Sequence, residues 1–342
     1  MTEPNPVRTD DADTRLQALR SWLRQAGGMT AFELQPASSD ASFRRYFRAQ
    51  HAAGTAIVMD APPAREDSRP FVHVAALMRG AGLNVPEILA CDLEQGFLLL
   101  SDLGTQTYLE VIDERNADRL FSDAIAALIR WQQATRADEL PPFDEALLRR
   151  ELALFPDWYL DRHLRFKPTP AQAATLEAVN TLLVRRALAQ PAVFVHRDYM
   201  PRNLMVSVPN PGVLDFQDAV QGPITYDVVS LFKDAFLSWP AERVRDWAKQ
   251  YWYAAKAARL PVSGDFAEFF ADFEWMGLQR HLKVLGIFAR INYRDGKPAY
   301  LADTPRFFNY VRETSAAHNA LAPLAQLFDA LEAHAVREQI PI

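Results

Sequence analysis

From Thr14 onward, Leu16, Leu19, Trp22 and Leu23 recur at helical spacing, and Gly27–Gly28 closes the run, so an amphipathic helix is predicted there. Short apolar or alternating runs follow at 42–49 (SFRRYFRA), 55–60 (TAIVMD), 85–92 (VPEILACD) and 96–102 (GFLLLSD). Each is bounded by turn residues and reads as a strand, with a helical run over 70–82 between the second and third. Beyond Gly104 the texture changes to long helical stretches over 117–135 and 169–189. Short strands return around 193–195 and 204–214, and helices dominate thereafter.

The pattern predicts an α+β fold in two lobes. A small β-rich N-lobe covers 1–102, its polar first 13 residues expected to be flexible, and a larger, mainly helical C-lobe covers 103–342. A length of 342 residues exceeds the ~250–300 at which a single core stops growing, which favours the same division. A cleft between lobes, bordered by the connector near 101–105, is the expected place for a small molecule.

Composition narrows the class. With 49% hydrophobic residues, 7 Trp and 21 Phe, the chain can fill a large core. A net charge of −6 argues against a general nucleic-acid or anionic-membrane surface. The N-terminus has no apolar leader-like run and no stretch suits a membrane span, so a cytoplasmic protein is expected. The single cysteine, Cys91, excludes an internal disulfide framework and lies in an apolar run that predicts a buried thiol.

The candidate chemistry lies in VHRDYMPRNLMV, residues 195–206. Phosphoryl transfer from a nucleotide needs a carboxylate near the acceptor hydroxyl, and oxygen ligands that hold magnesium against the phosphates. Asp198, in a loop after the strand AVFV, is placed to accept the proton, and Asn203, five residues on, offers an amide oxygen. The chain then turns at Pro209–Gly212 and returns as VLDFQDA, so two antiparallel strands would bring Asp215 back beside Asn203. Hard oxygen ligands of this kind suit Mg²⁺. His196, beside the apolar strand, reads as a loop-organising residue rather than a base.

H-x-D-x-x-x-x-N followed by an L-D-F strand resembles the aminoglycoside phosphotransferase-like kinases, which share the bilobal protein-kinase fold. The segments SDASFRRYFR, VMDAPP, GFLLLSDLG, GVLDFQDAVQGPITYDVVSLFKDA and GLQRHLKVLGIFARINYRDGK extend the likeness over nearly the whole chain. Together they resemble the family of bacterial anomeric N-acetylmuramate/N-acetylglucosamine kinases of cell-wall recycling. The resemblance implies an ATP- and Mg²⁺-dependent sugar 1-kinase making an α-1-phosphate. Asp198 would be its base, Asn203 and Asp215 its metal ligands, and Asp227 the helix-start carboxylate that braces the loop. Other small-molecule phosphotransferases of this fold, aminoglycoside kinases among them, and a non-catalytic nucleotide-binding scaffold are the alternative readings.

Where protein kinases carry a lysine two residues after the catalytic aspartate, this chain has Met200, which points to a small-molecule acceptor rather than a peptide. In place of a glycine-rich loop stands ASSDAS, whose Ser38, Ser39 and Ser42 are candidate phosphate contacts. No lysine precedes Lys167, so Arg44 or Arg45 is expected to supply the cation for the nucleotide phosphates, and strand alternation allows only one of them to face the cleft. Ser101 and Leu103 in the connector are further nucleotide candidates.

For the acceptor, the candidates are Arg202 and the stripe Gln279, Arg280, Lys283, which with Arg290 and Arg294 spans roughly 100° of helix arc. A cationic stripe suits the lactyl carboxylate of N-acetylmuramate, provided Gly286 does not interrupt the helix. His281, about 100° round from Arg280, is expected to pack at the pocket edge or in the core.

Overall fold

The computed structural model describes residues 9–38 and 43–342. The chain forms two compact units, one built from Met1–Gln106 with Met205–Asp218, the other from Thr107–Leu204 with Ala219–Ile342. The element order of the first stretch is α1 (Thr9–Gln25), β1 (Phe32–Ser38), β2 (Arg45–His51), β3 (Gly54–Asp60), α2 (Arg69–Gly80), β4 (Ile88–Asp92) and β5 (Phe97–Ser101). Helix α1 thus begins five residues before the expected Thr14.

The five strands make one antiparallel sheet in the order β1-β2-β3-β5-β4. Strand β1, FELQPAS, is additional to the strands expected from the pattern. It carries a proline near its end, which an edge strand tolerates because its outer N–H groups need no ladder partner. Register pairs Phe47 with Val58, Val58 with Leu99 and Ala49 with Ala56, and these residues cluster with Leu19, Trp22 and Leu23 of α1. The face of β2 that carries Arg45, Phe47 and Ala49 is therefore the one α1 covers, and the alternate residues point the other way.

Cys91 is exposed rather than buried. It lies on the edge strand β4, where Ala90 turns inward against the α1 cluster and its neighbour on the strand must turn outward.

The second unit is built on helices: α3 (Tyr108–Val111), α4 (Ala117–Gln133), α5 (Glu145–Leu154) continuing as a π-helical segment (Phe155–His163), and α6 (Pro170–Ala189). Four short strands follow along the chain, β6 (Ala192–Val195), β7 (Leu204–Met205), β8 (Gly212–Val213) and β9 (Val220–Pro223), paired as β6 with β9 and β7 with β8; Met205 and β8 fall in the stretch that belongs to the first unit. After them come α7 (Tyr226–Phe232), α8 (Ala241–Ala257), α9 (Phe266–Asp295), α10 (Thr304–Ala317) and α11 (Ala322–Glu338). The small β-rich beginning and helical majority are the α+β class the pattern predicted.

Helix α9 runs 30 residues without a break, and every residue from Trp275 to Gly286 is buried. Gly286 does not interrupt it. A Cβ there would lie 2.3 Å from the carbonyl carbon of Leu154, so glycine is what lets the last turn of α5 press its backbone against α9. No helix among the described residues is long and apolar enough to cross a membrane.

Candidate active site

Strand β6 ends at Val195, and the next two amides find one carboxylate. Asp227, fully buried in the first turn of α7, accepts from the N–H of His196 at 2.6 Å and from that of Arg197 at 3.0 Å. Arg197 has φ 76, a left-handed conformation that a bulky residue rarely adopts, and the paired amides hold it there. Burial raises the Asp227 carboxyl to about 6, against the opposing pull of His196 and the two amides.

The kink presents Asp198. Its amide donates to Nδ1 of buried His196 at 3.2 Å, which in a neutral ring leaves the proton on Nε2. Its carbonyl accepts from the Met200 amide and from Asn203 Nδ2, both at 2.9 Å. With Nδ2 so used, Oδ1 is the acceptor end of the Asn203 amide. Tyr199, buried against the His196 ring at 5.7 Å between centroids, anchors the loop by donating from its hydroxyl to the Ala124 carbonyl at 2.8 Å. The backbone around Asp198 is thus fixed while its side chain is only partly covered.

Beneath the loop lies a buried ionic network that the sequence did not disclose. Glu151 of α5 takes Arg197 Nη2 and Lys283 Nζ on Oε1, each at 2.7 Å, and Gln279 Nε2 on Oε2 at 3.1 Å. Burial pushes the Glu151 carboxyl up, but Lys283 and Arg197 outweigh it and hold the group at about 2. Lys283 also donates to the Tyr226 hydroxyl at 2.9 Å. The stripe positions Gln279 and Lys283 therefore meet at Glu151, inside the unit, and no contiguous signal could have paired residues 132 apart.

Arg280 is buried next to them and donates from Nη1 to the Arg197 carbonyl at 3.2 Å, with its guanidinium 4.9 Å from the Tyr226 ring centre. Despite burial it is held fully charged, since Tyr226, Asp198 and Glu151 all favour the cation. Arg202 stacks its guanidinium over Phe236 at 5.1 Å. His281 is buried, as one of its expected alternatives had it, with both ring nitrogens lacking a hydrogen-bond partner among the described residues and its ring 4.9 Å from Tyr310.

In the first unit, Asp215 has φ 61 and accepts from Gln217 Nε2 at 2.9 Å. Phe216 beside it is fully buried against Phe71 of α2, ring centres 4.8 Å apart, which ties the position of Asp215 to that helix. In the connector, Ser101 Oγ accepts the Glu87 amide at 2.8 Å, and Arg48 grips Asp102 at 2.7 and 3.2 Å. Leu103 packs so closely on Gly212 that a Cβ there would lie 2.9 Å from its methyl group.

Arg45 Nε donates to buried Asp60 at 3.0 Å, and Arg15 of α1 holds the other oxygen at 2.6 Å. Arg44, one residue before β2 and of opposite parity, donates to Glu66 at 3.1 Å. Ser38 is the last residue of β1. Ser39 and Ser42 lie outside the described residues.

A small antiparallel sheet with helices α1 and α2, and a helical unit whose H-x-D-x-x-x-x-N loop is braced by a helix-start carboxylate, define a kinase-type phosphotransferase. The chain belongs to the phosphotransferase enzyme family, which it matches over residues 33–265. It is 55% identical to the N-acetylmuramate/N-acetylglucosamine kinase of Pseudomonas putida, over 94% of this chain and 98% of that one. To the Pseudomonas aeruginosa protein of the same name it is 56% identical, over 93% and 97%. Among solved structures, an ADP-bound aminoglycoside phosphotransferase superposes with a TM-score of 0.59 at 14% identity, over 87% of this chain and 98% of that one.

Proposed function

We propose that the protein is an ATP-dependent sugar kinase that phosphorylates the anomeric hydroxyl of N-acetylmuramate and N-acetylglucosamine, giving the α-1-phosphate in cell-wall recycling. The observation that carries this reading is the likeness to the two Pseudomonas kinases, because it spans more than nine-tenths of each chain and not merely the catalytic loop.

Asp198 serves as the base. The sugar O1 attacks the γ-phosphorus, its proton passes to the Asp198 carboxylate, and the bond to the β–γ bridging oxygen breaks, leaving ADP. The anomeric hydroxyl is more acidic than an ordinary alcohol, so a carboxylate suffices. The C1–O bond survives, and the configuration bound is the configuration of the product.

Asn203 and Asp215 would hold magnesium: an amide oxygen and a carboxylate are the hard donors this ion takes, and the Asn203 amide has its nitrogen turned away onto Asp198. Magnesium, when bound, draws negative charge off the phosphate oxygens. Arg44, just ahead of β2 and of opposite parity to Arg45, takes the role of the absent lysine, with Ser38, Ser39 and Ser42 on the phosphates and Ser101 and Leu103 on the rest of the nucleotide. His196, Asp227, Gln279 and Lys283 set the loop, while Arg280 and Arg202 stand on the acceptor side of it. The expected setting is the cytoplasm.

A coupled assay of ADP release tests the reading, with ³¹P detection of the sugar phosphate, across both amino sugars, unmodified glucose and an aminoglycoside. Turnover is expected with the two N-acetyl sugars and to fall ~10²–10⁴-fold in Asp198→Asn, with nucleotide binding retained. ATP consumption that ignores the sugar, or favours the aminoglycoside, would overturn it.

A further inference from the structure

The second unit contains a cavity of about 700 Å³, within the usual range of small-molecule sites. Its walls include Lys233, Ser238 and Trp239 from the segment after α7, and Asn309, Tyr310 and Glu313 from α10. Aromatic faces suit the C–H face of a pyranose, and amide, hydroxyl and carboxylate groups suit its hydroxyls and an N-acetyl group. Trp239 is fixed by edge contacts with Phe121 and Trp247 at 6.1 and 5.3 Å, and its buried Nε1 has no partner among the described residues. Such a donor requires one from elsewhere.

One contact ties the cavity to the H-x-D-x-x-x-x-N loop, and another closes the cavity's own wall. Phe236, in the same segment as Lys233 and Trp239, lies under the guanidinium of Arg202 at 5.1 Å, and Arg202 is the neighbour of Asn203. Arg306 of α10, another wall residue, donates to the Ala235 carbonyl at 3.0 Å, closing the segment against α10.

The cations of the cavity differ in what they already hold. Arg306 is paired with Asp303 at 3.0 Å, and Arg245 stacks on Phe270 at 4.5 Å. Lys233 Nζ makes no ion pair among the described residues and instead lies over the rings of Phe273 and Tyr310, at 5.6 and 5.7 Å. Burial lowers its pKa, while Glu274 and Glu313 oppose the shift without forming an ion pair with it; Glu274 is engaged by His318 at 3.1 Å. A desolvated ammonium with no direct counter-ion is a receptor for a carboxylate.

We infer that this cavity receives the ring substituents of the acceptor amino sugar, and that Lys233 reads the lactyl carboxylate, setting the preference for N-acetylmuramate over N-acetylglucosamine. The inference rests on the amino-sugar kinase reading above.

The test is steady-state kinetics of Lys233→Met and Lys233→Arg with both sugars, beside the unaltered protein. Lys233→Met should lower kcat/KM for N-acetylmuramate by roughly 10–150-fold, the loss of one charge-assisted bond, and lower that for N-acetylglucosamine much less. Lys233→Arg, which keeps the charge, should recover most of the preference. Titration with N-acetylmuramate should quench tryptophan fluorescence, and Trp239→Phe should abolish most of that signal. Equal losses for both sugars in Lys233→Met, an unchanged preference, or a quench indifferent to Trp239 would overturn the inference while leaving the kinase reading intact. Absence of turnover with either sugar in the unaltered protein would instead remove the kinase reading itself.

Discussion

Arg197 keeps a left-handed backbone, φ 76, while its amide donates to Asp227 Oδ1 at 3.0 Å, so a residue 30 positions away fixes the kink that presents Asp198. In Asp227→Asn one of the two amides faces an NH₂ group and loses its acceptor. A buried group left unsatisfied costs about 1–3 kcal/mol, and the strained kink relaxes. We expect kcat to fall at least ~10-fold with KM for ATP little changed, and the urea midpoint to drop. A variant with normal kcat and only lowered stability would make Asp227 a fold residue and nothing more.

Asp215→Ala removes an anionic oxygen donor, and nucleotide binding should weaken in the presence of magnesium far more than in its absence. Calorimetry with ATP, with and without the metal, measures the difference. Magnesium dependence equal to that of the unaltered protein would move the metal elsewhere.

Arg44 and Arg45 are adjacent, yet they are expected to fail differently. Arg45 joins Arg15 on buried Asp60, and that contact ties α1 to the sheet. Arg45→Ala should therefore lower the melting temperature and leave KM for ATP near its original value once the protein is folded. Arg44→Ala should raise KM for ATP by roughly tenfold, as expected for one lost charge-assisted contact to phosphate, with less effect on melting. Reversal of the two outcomes would place Arg45 on the nucleotide.

The difference between what the sequence disclosed and what it hid follows from locality. The loop of Asp198 and Asn203 is contiguous, its polar residues stand at fixed spacing, and the apolar run AVFV before it reads directly as a strand. Strand β9, VQGP, contains glycine and proline, both poor strand formers, and exists because β6 pairs with it over Val193–Gly222 and its neighbours. The π-helical turn after Leu154 has no pattern of its own; it accompanies the close approach of the α5 backbone to Gly286. The charges of α9 were visible as a stripe, but stripes do not say what they face. Gln279 and Lys283 face Glu151, which lies in another helix and is itself unremarkable in the sequence EALLRRELAL.

Glu151 gives the last prediction, in acid. Its carboxyl has an ordinary value of 4.5 and is held at about 2 in the folded protein by Lys283 and Arg197, overcoming burial. A carboxyl depressed on folding contributes stability that is full above its unfolded value and is lost as pH falls through the folded one, here between about 4.5 and about 2. Glu151→Gln leaves Lys283 and Arg197 buried without their anion, and removing one partner of such a pair costs about 3–5 kcal/mol. Urea unfolding at pH 7 should therefore show a wide gap between the unaltered protein and the variant, and that gap should narrow steadily below about pH 4.5. The double variant Glu151→Gln with Lys283→Met should be more stable than Glu151→Gln alone, because one of the stranded cations is gone. A gap that stayed constant from pH 7 to pH 3 would mean that Glu151 acts by shape and hydrogen bonding, and that its charge does not hold Arg197 under the loop.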